Sequence, residues 1–317
     1  MLVVPDGASE PLGAAPTSLE QARTPGLDAV AAAGAVRRVR TVPDGLPAGS
    51  ETCIPTLLGR PPARVPGRGR IEAASARIGV RPGTTPWRVD VLTPEGAPGD
   101  VDLVARAADL LAAHVEAVHR LRGHRLLAVA EGWPALPEVA GAHLVLWEDG
   151  PEPGPALIDG TVVVCGPGAA EGVARLLGLE VVRPPGATGG LDADLGAKAG
   201  AALDAIAGGA RRVVVHVGAP DEAAHRRDPA AKVAALEAID AAVIGPLWEA
   251  VRARGGRLAV CPDHGADPST GAHDGSPVPA ACAGQGVAPA GPGRMTERAV
   301  AGLPAVAAPP VPGWGAP

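Results

Sequence analysis

The chain has 317 residues, a formal net charge of −6 and 46% hydrophobic content, enough apolar side chains for one large or two smaller domains. It contains no cluster of Lys and Arg of the kind that holds a nucleic-acid backbone, and no run approaching the roughly 18 apolar residues that cross a bilayer, so nucleic-acid and membrane partners are excluded. Four scattered cysteines, Cys53, Cys165, Cys261 and Cys282, form no C-x-x-C pair and read as reduced, packed thiols; Phe and Tyr are absent, which leaves the core to Val, Leu, Ile and Ala.

The opening LVVPDG is a short β-branched run that delivers Asp6 to a loop at a strand end, and its lack of a basic start and a long apolar region predicts a cytoplasmic protein. Thr24-Pro25 reads as an N-cap and first turn, with Leu27, Val30 and Ala31 at helical spacing until Gly34. The breaker-rich TVPDGLPAGSETCIPTLLG that follows is a loop able to hold Ser50 at a helix start. From about Gly83 to Pro185 the texture changes. A strand in WRVDVLT, an amphipathic helix from about Val101 to Leu121, and strands in LLAVAEG, HLVLWE and TVVVCG predict an inserted α+β domain over 84–185.

After PPGATGG the β-α alternation resumes. A helix in LGAKAGAALDAI leads to the strand RRVVVHV, and a long helix from about Pro229 to Arg254 carries a kink at Pro246. GGRLAVCPDHG then repeats the pattern of apolar strand and acidic loop, and a Pro- and Ala-rich tail from Gly302 is expected to be extended without period. Residues 1–83 and 186–317 thus form a discontinuous α/β core, in which sites form beyond the carboxyl ends of the strands.

Chemistry-bearing residues collect at those strand ends: Asp6; Asp221 with His225 four residues on; adjacent Asp263 and His264; and His273. A lone Asp in a P-D-G or P-D-H turn is an ordinary turn-former, and a lone loop His is ordinarily solvated. Their joint occurrence, with both Asp-His pairs after β-branched strands, points instead to divalent cations, three protein ligands for each of two ions. Two such ions clamp the attacking and leaving oxygens of an in-line phosphoryl transfer. Ser50 is either the nucleophile of that transfer or a plain helix N-cap; its local sequence leaves both open.

TVPDGLPAGSETCIPTLLG, GRGRIEAASARIGV, GPGAAEGVARLLGLEVVRPPGATGGLDADLGAKAGAAL, VHVGAPDEAAHRRDPAAKVAALEAIDAAVIGPL and PDHGADPSTGAHDGSPVP together resemble the archaeal-type cofactor-independent phosphoglycerate mutases of the alkaline phosphatase superfamily. The resemblance covers most of the chain and is weakest in the insert and the last thirty or so residues. It implies an alkaline-phosphatase-like core sheet sandwiched by helices, with 84–185 as a smaller substrate-binding lid.

By the same resemblance, Asp6, Ser50, Asp263 and His264 would surround one metal ion and Asp221, His225 and His273 the other. The ions would be manganese, with cobalt, zinc or magnesium as substitutes. Ser50 would carry the phosphoryl group while 3-phosphoglycerate and 2-phosphoglycerate, intermediates of glycolysis and gluconeogenesis, interconvert without 2,3-bisphosphoglycerate. Lys198 would sit beside the transferred phosphate, and Arg88 and Arg125 would bind a small phosphorylated metabolite through forked guanidinium groups. The sequence departs from the family at Glu51, Arg60, His124 and Gly218. A phosphatase or a phosphotransferase on another small alcohol, homoserine-kinase-like for example, and a degenerate non-catalytic relative are the alternatives.

Overall fold

The structure is a computed structural model that describes residues 1–154 and 160–310. Its strands are β1 (Leu2–Pro5), β2 (Gly34–Arg40), β3 (Thr85–Leu92), β4 (Ala117–Arg120), β5 (Arg125–Ala130), β6 (His143–Leu146), β7 (Thr161–Val164), β8 (Glu180–Val182), β9 (Arg212–Val217), β10 (Arg257–Val260), β11 (Gly265–Ala266), β12 (His273–Asp274), β13 (Val278–Gly284) and β14 (Ala305–Ala307). Two compact units result, one of 1–63 with 154–317 and one of 64–153.

The larger unit is an α/β core built on one eight-stranded sheet in the order β14-β2-β13-β10-β1-β9-β7-β8. All ladders are parallel except those made by β13, which runs against both β10 and β2. The central strands LVVP, TVVV and RLAV are buried almost throughout, the pattern of a parallel sheet covered on both faces. Val3, Val213, Val215 and Val217 pack with Leu27 and Val30 of helix Pro25–Ala33, Ala199 and Ala202 of helix Leu195–Ala207, and Leu236, Leu247 and Val251 further along. The core is aliphatic, as a chain without Phe or Tyr requires, and all four cysteines are free and buried.

The smaller unit pairs a four-stranded sheet, β4-β5-β3-β6, with the amphipathic helix Val101–Leu111. Leu103, Val104, Ala107 and Leu111 meet Val89, Val91, Leu126 and Ala128. Its boundaries differ from the expected 84–185. It takes in helix Arg68–Ala76, and TVVVCG leaves it: β7 joins the large sheet between β8 and β9 because an all-β-branched, two-sided buried strand is satisfied only in a parallel core.

Local expectations also shift. The helix foreseen to Leu121 ends at Leu111, since Val118 and Arg120 pair across to β5. The kink expected at Pro246 is a π-helical turn, Asp240–Ile244, just upstream of it. A wider turn accommodates the donor that proline lacks. Thr24 makes no side-chain cap; Asp240, from that π-helical turn, accepts the Gly26 and Leu27 amides at 2.9 and 2.6 Å. The tail contributes β14 as a parallel edge strand on β2, while 311–317 lie outside the described residues.

Candidate metal centre

Four strand ends converge in the larger unit. β1 and β9 pair so that Val4 lies opposite His216 and Pro5 opposite Val217, and the Asp6 amide donates to the Val217 carbonyl at 2.9 Å. β10, on the other side of β1, runs into the loop bearing Asp263 and His264, and Asp221 and His225 lie on the short helix Ala219–His225 directly after β9. The small hairpin β11–β12 returns His273 to the same end, pairing it with Ala266.

Gly7 shows why the P-D-G turn is written with glycine. Its φ is +58°, and a Cβ there would stand 2.7 Å from Asp221 Oδ1 and 2.9 Å from Asp221 Cβ. The Gly7 amide also donates to Asp263 Oδ1 at 3.1 Å, an oxygen that takes the His264 amide as well at 3.0 Å. Asp263 Oδ2 is left without a hydrogen-bond partner, buried and 3.6 Å from His264 Nε2.

The imidazoles are oriented by their far nitrogens. His264 Nδ1 lies 3.0 Å from the Gly265 carbonyl and His273 Nδ1 3.1 Å from the Ala48 carbonyl, so each donates there and turns Nε2 inward. Inward-facing atoms crowd together. His264 Nε2 is 3.3 Å from Asp6 Oδ1, His273 Nε2 is 3.3 Å from Asp221 Oδ1, and His225 Nε2 is 3.2 Å from both Asp221 Oδ2 and His273 Nε2. The pocket is graded in exposure: Asp263 and His264 are fully buried, whereas the His225 side chain is 49% exposed.

Such crowding perturbs the titration of Asp6, Asp221, Asp263 and His264. Burial would raise Asp6, but the adjoining His216 and His264 hold it well below the carboxylate range. Burial likewise opposes the ionisation of Asp221, yet His225 and His273 bring it down to about 2. Asp263 is pushed up to about 6 by burial and by the charge of Asp6. Against its own burial, His264 is raised to about 10 by Asp263 and Asp6. A cluster in which carboxylates and imidazoles compete for the same few protons is one that a cation would satisfy directly.

Buried polar atoms without hydrogen bonds concentrate in this cluster. Among the described residues they number seven, and four of them, His216 Nε2, Asp221 Oδ1, Asp263 Oδ2 and His264 Nε2, lie in this one cluster. Unpaired buried polar atoms cost about 1–3 kcal/mol each, so four together need a partner that protein groups do not supply. Three sets of donors lie within 4.8 Å of one another: Asp221, His225 and His273; Asp6, Asp221 and His264; and Asp6, His216 and Asp263. Carboxylate oxygens with imidazole nitrogens suit manganese, cobalt or zinc.

Ser50 stands at the first turn of helix Ser50–Leu57, whose N-cap is Gly49. It is not the cap. Its hydroxyl instead reaches Asp6, 3.3 Å from Oδ1 and 3.5 Å from Oδ2. Lys198 is fully buried, donates to the His216 carbonyl at 2.7 Å, and is pushed down to about 8 by burial. Sequence reasoning passed over His216. Its signal is a single polar residue inside RVVVHV, on the strand face opposite Val213, Val215 and Val217.

The two remaining predicted residues, Arg88 and Arg125, belong to the smaller unit. Arg88 is clamped by Asp90 at 2.7 and 2.8 Å, lies 3.5 Å from Glu72, and stacks 4.4 Å over Trp147. Arg125 keeps a buried Nε with no partner and is pushed down by burial and by Arg88.

A profile of the Metalloenzyme superfamily matches residues 160–310, and one of the 2,3-bisphosphoglycerate-independent phosphoglycerate mutases matches 31–117. The mutase of that name from Methanothrix thermoacetophila is 29% identical, with 86% of each chain covered. The chain is similar to the cofactor-independent phosphoglycerate mutases along most of its length. The mutase of the same name from Methanopyrus kandleri is 40% identical over 93 residues, 29% of this chain and 22% of that one.

Solved structures share the fold. A Pyrococcus horikoshii protein, 23% identical, superposes with a TM-score of 0.79 over 96% of this chain and 93% of that one. The cofactor-independent phosphoglycerate mutase of Thermoplasma acidophilum, 19% identical, gives 0.60 over 96% and 95%. Position 218 is glycine, where a Cβ would stand 2.6 Å from the Gly189 carbonyl oxygen.

Proposed function

We propose that the chain interconverts 3-phosphoglycerate and 2-phosphoglycerate through a phosphorylated Ser50, with two divalent cations and without 2,3-bisphosphoglycerate. The observation that carries this reading is the placement of the Ser50 hydroxyl against Asp6, beside four unpaired buried donor atoms. Asp6, Ser50, Asp263 and His264 would hold one ion, and Asp221, His225 and His273 the other. When bound, manganese or a similar ion supplies charge that stabilises an ionised serine oxygen and the transferring phosphoryl group.

The chain's own groups do the rest. Ser50 Oγ forms a bond to phosphorus as the bond from phosphorus to the glycerate oxygen breaks, and the proton lost by the serine balances the one gained by the departing alkoxide. The glycerate turns, its other hydroxyl oxygen bonds to phosphorus as the bond from phosphorus to Ser50 Oγ breaks, and the proton lost by that hydroxyl balances the one regained by Ser50. The first turn of helix Ser50–Leu57 aims backbone amides at the added negative charge, and buried Lys198 contributes a cation close to Asp6. Of the two guanidinium groups assigned to substrate, Arg125, with its unpaired Nε, is the anion ligand. Arg88, already neutralised by Asp90 and Glu72, orders its surroundings.

The decisive experiment is conversion of 3-phosphoglycerate, read by coupling to enolase across manganese, cobalt, zinc and magnesium with no 2,3-bisphosphoglycerate added. Product formation is expected. Release of inorganic phosphate alone would make the chain a hydrolase, and no turnover with any ion would sink the catalytic reading.

A further inference from the structure

We infer that His216 is an eighth metal-centre residue, its Nε2 a direct ligand of the ion held by Asp6 and Asp263. The inference rests on the metal-centre reading above and extends it by one donor.

Four observations converge on this nitrogen. First, His216 Nε2 is among the four unpaired buried atoms of the cluster, and the other three, on Asp221, Asp263 and His264, are the donors already assigned to cations. Second, it lies within 4.8 Å of donor oxygens of both Asp6 and Asp263, closing a three-donor set that uses no residue of the exposed half. Third, it stands 3.3 Å from Asp6 Oδ2 without a well-aligned hydrogen bond to that oxygen, so its lone pair remains available to a cation.

Fourth, the backbone at this residue is pinned on two sides. β9 pairs His216 with Val4, two residues before Asp6, and Lys198 donates to the His216 carbonyl at 2.7 Å from helix Leu195–Ala207. The side chain is only 11% exposed, and its strand places it on the face away from the aliphatic core. A donor held so firmly has little freedom to turn elsewhere.

The alternative is an outer imidazole that merely donates to Asp6, as carboxylate ligands commonly require. The two differ in chemistry. A direct ligand gives the buried ion two imidazoles and two carboxylates beside the serine oxygen, which shifts preference from oxygen-loving magnesium towards cobalt or zinc. An outer donor leaves one imidazole on that ion and no such shift.

Proton NMR of the cobalt(II)-loaded full chain separates them. Each directly bound imidazole contributes one strongly shifted, exchangeable ring N–H signal. The expected wild-type count is four, from His216, His225, His264 and His273, falling to three in His216→Gln, with cobalt affinity by calorimetry reduced at least about tenfold. Three signals in the wild type, unchanged in the variant, would overturn the assignment of His216 and leave the metal centre standing. Failure of the wild type to bind cobalt would overturn both. The wild-type count alone decides the matter should His216→Gln not fold, which circular dichroism reports.

Discussion

Two buried clusters of ionisable side chains, one in each unit, are treated in opposite ways. In the smaller unit Arg88 is held by Asp90 through two short bonds, flanked by Glu72 and capped by Trp147, whose indole also donates to Asp90 at 3.0 Å. In the larger unit Asp6, Asp221, Asp263, His216 and His264 face one another, and four of their atoms go unpaired. Burial is comparable; satisfaction is not. A closed network supports the fold it sits in, whereas an open one is shaped around something it must bind.

The sharpest break in that comparison is a loss of activity without a loss of structure. Ser50→Ala should lower turnover by at least about 10³-fold, because it removes the proposed nucleophile while Asp6, Asp263 and His264 remain to hold the ion. Metal content by mass spectrometry and the melting temperature should stay near wild type; retained turnover would remove Ser50 from its role.

Next come the two carboxylates, exchanged for amides. Asp90→Asn strands a buried guanidinium and should cost about 3–5 kcal/mol in denaturant unfolding. Asp263→Asn, measured in chelator, should stabilise the chain, since an aspartate raised to about 6 by burial and by Asp6 is charged at neutral pH against its surroundings. The same variant should bind manganese far more weakly by calorimetry. Equal destabilisation by both substitutions would erase the distinction.

Acid provides a gentler probe. Asp90 is buried, yet Arg88 lowers its proton affinity in the folded chain below the unfolded value. Its contribution is therefore complete above about pH 4 and is lost as pH falls through the lower, folded value. Trp87, Trp133 and Trp147 all lie in the smaller unit, so tryptophan fluorescence should report its loosening in that window and little change from pH 7 to 5. The smallest effect expected is that of Asp100→Ala. Asp100 caps helix Val101–Leu111 through the Leu103 amide at 2.8 Å, and its removal should cost about 1 kcal/mol without touching metal binding.

What could be read in advance follows the same division. Strands such as LVV and RLAV announce themselves because two-sided burial writes unbroken apolar runs, and their ends carry Asp6 and Asp263 into view. TVVV bears that signature too, and belongs with them for that reason; its distance along the chain from the other core strands concealed it. The helical reading of residues 112–121 failed because pairing of Val118 with Ala128 outweighs local periodicity. Ser50 was ambiguous from its neighbours alone. Only the fold shows that Gly49 is the cap and that the Ser50 hydroxyl lies against Asp6, forty-four positions away. His216 was invisible for the converse reason, since a lone imidazole in an apolar strand carries no spacing motif, and register with β1 is what gives it neighbours.

Gly7 has an implication for assembly of the centre. Its amide fixes Asp263 while its bare α-carbon abuts Asp221, so a single residue touches both of the proposed ligand sets at once. The interval between the two sets is then gauged by main-chain atoms, which cannot hop between rotamers. Threading that one turn correctly calibrates the spacing before any ion arrives.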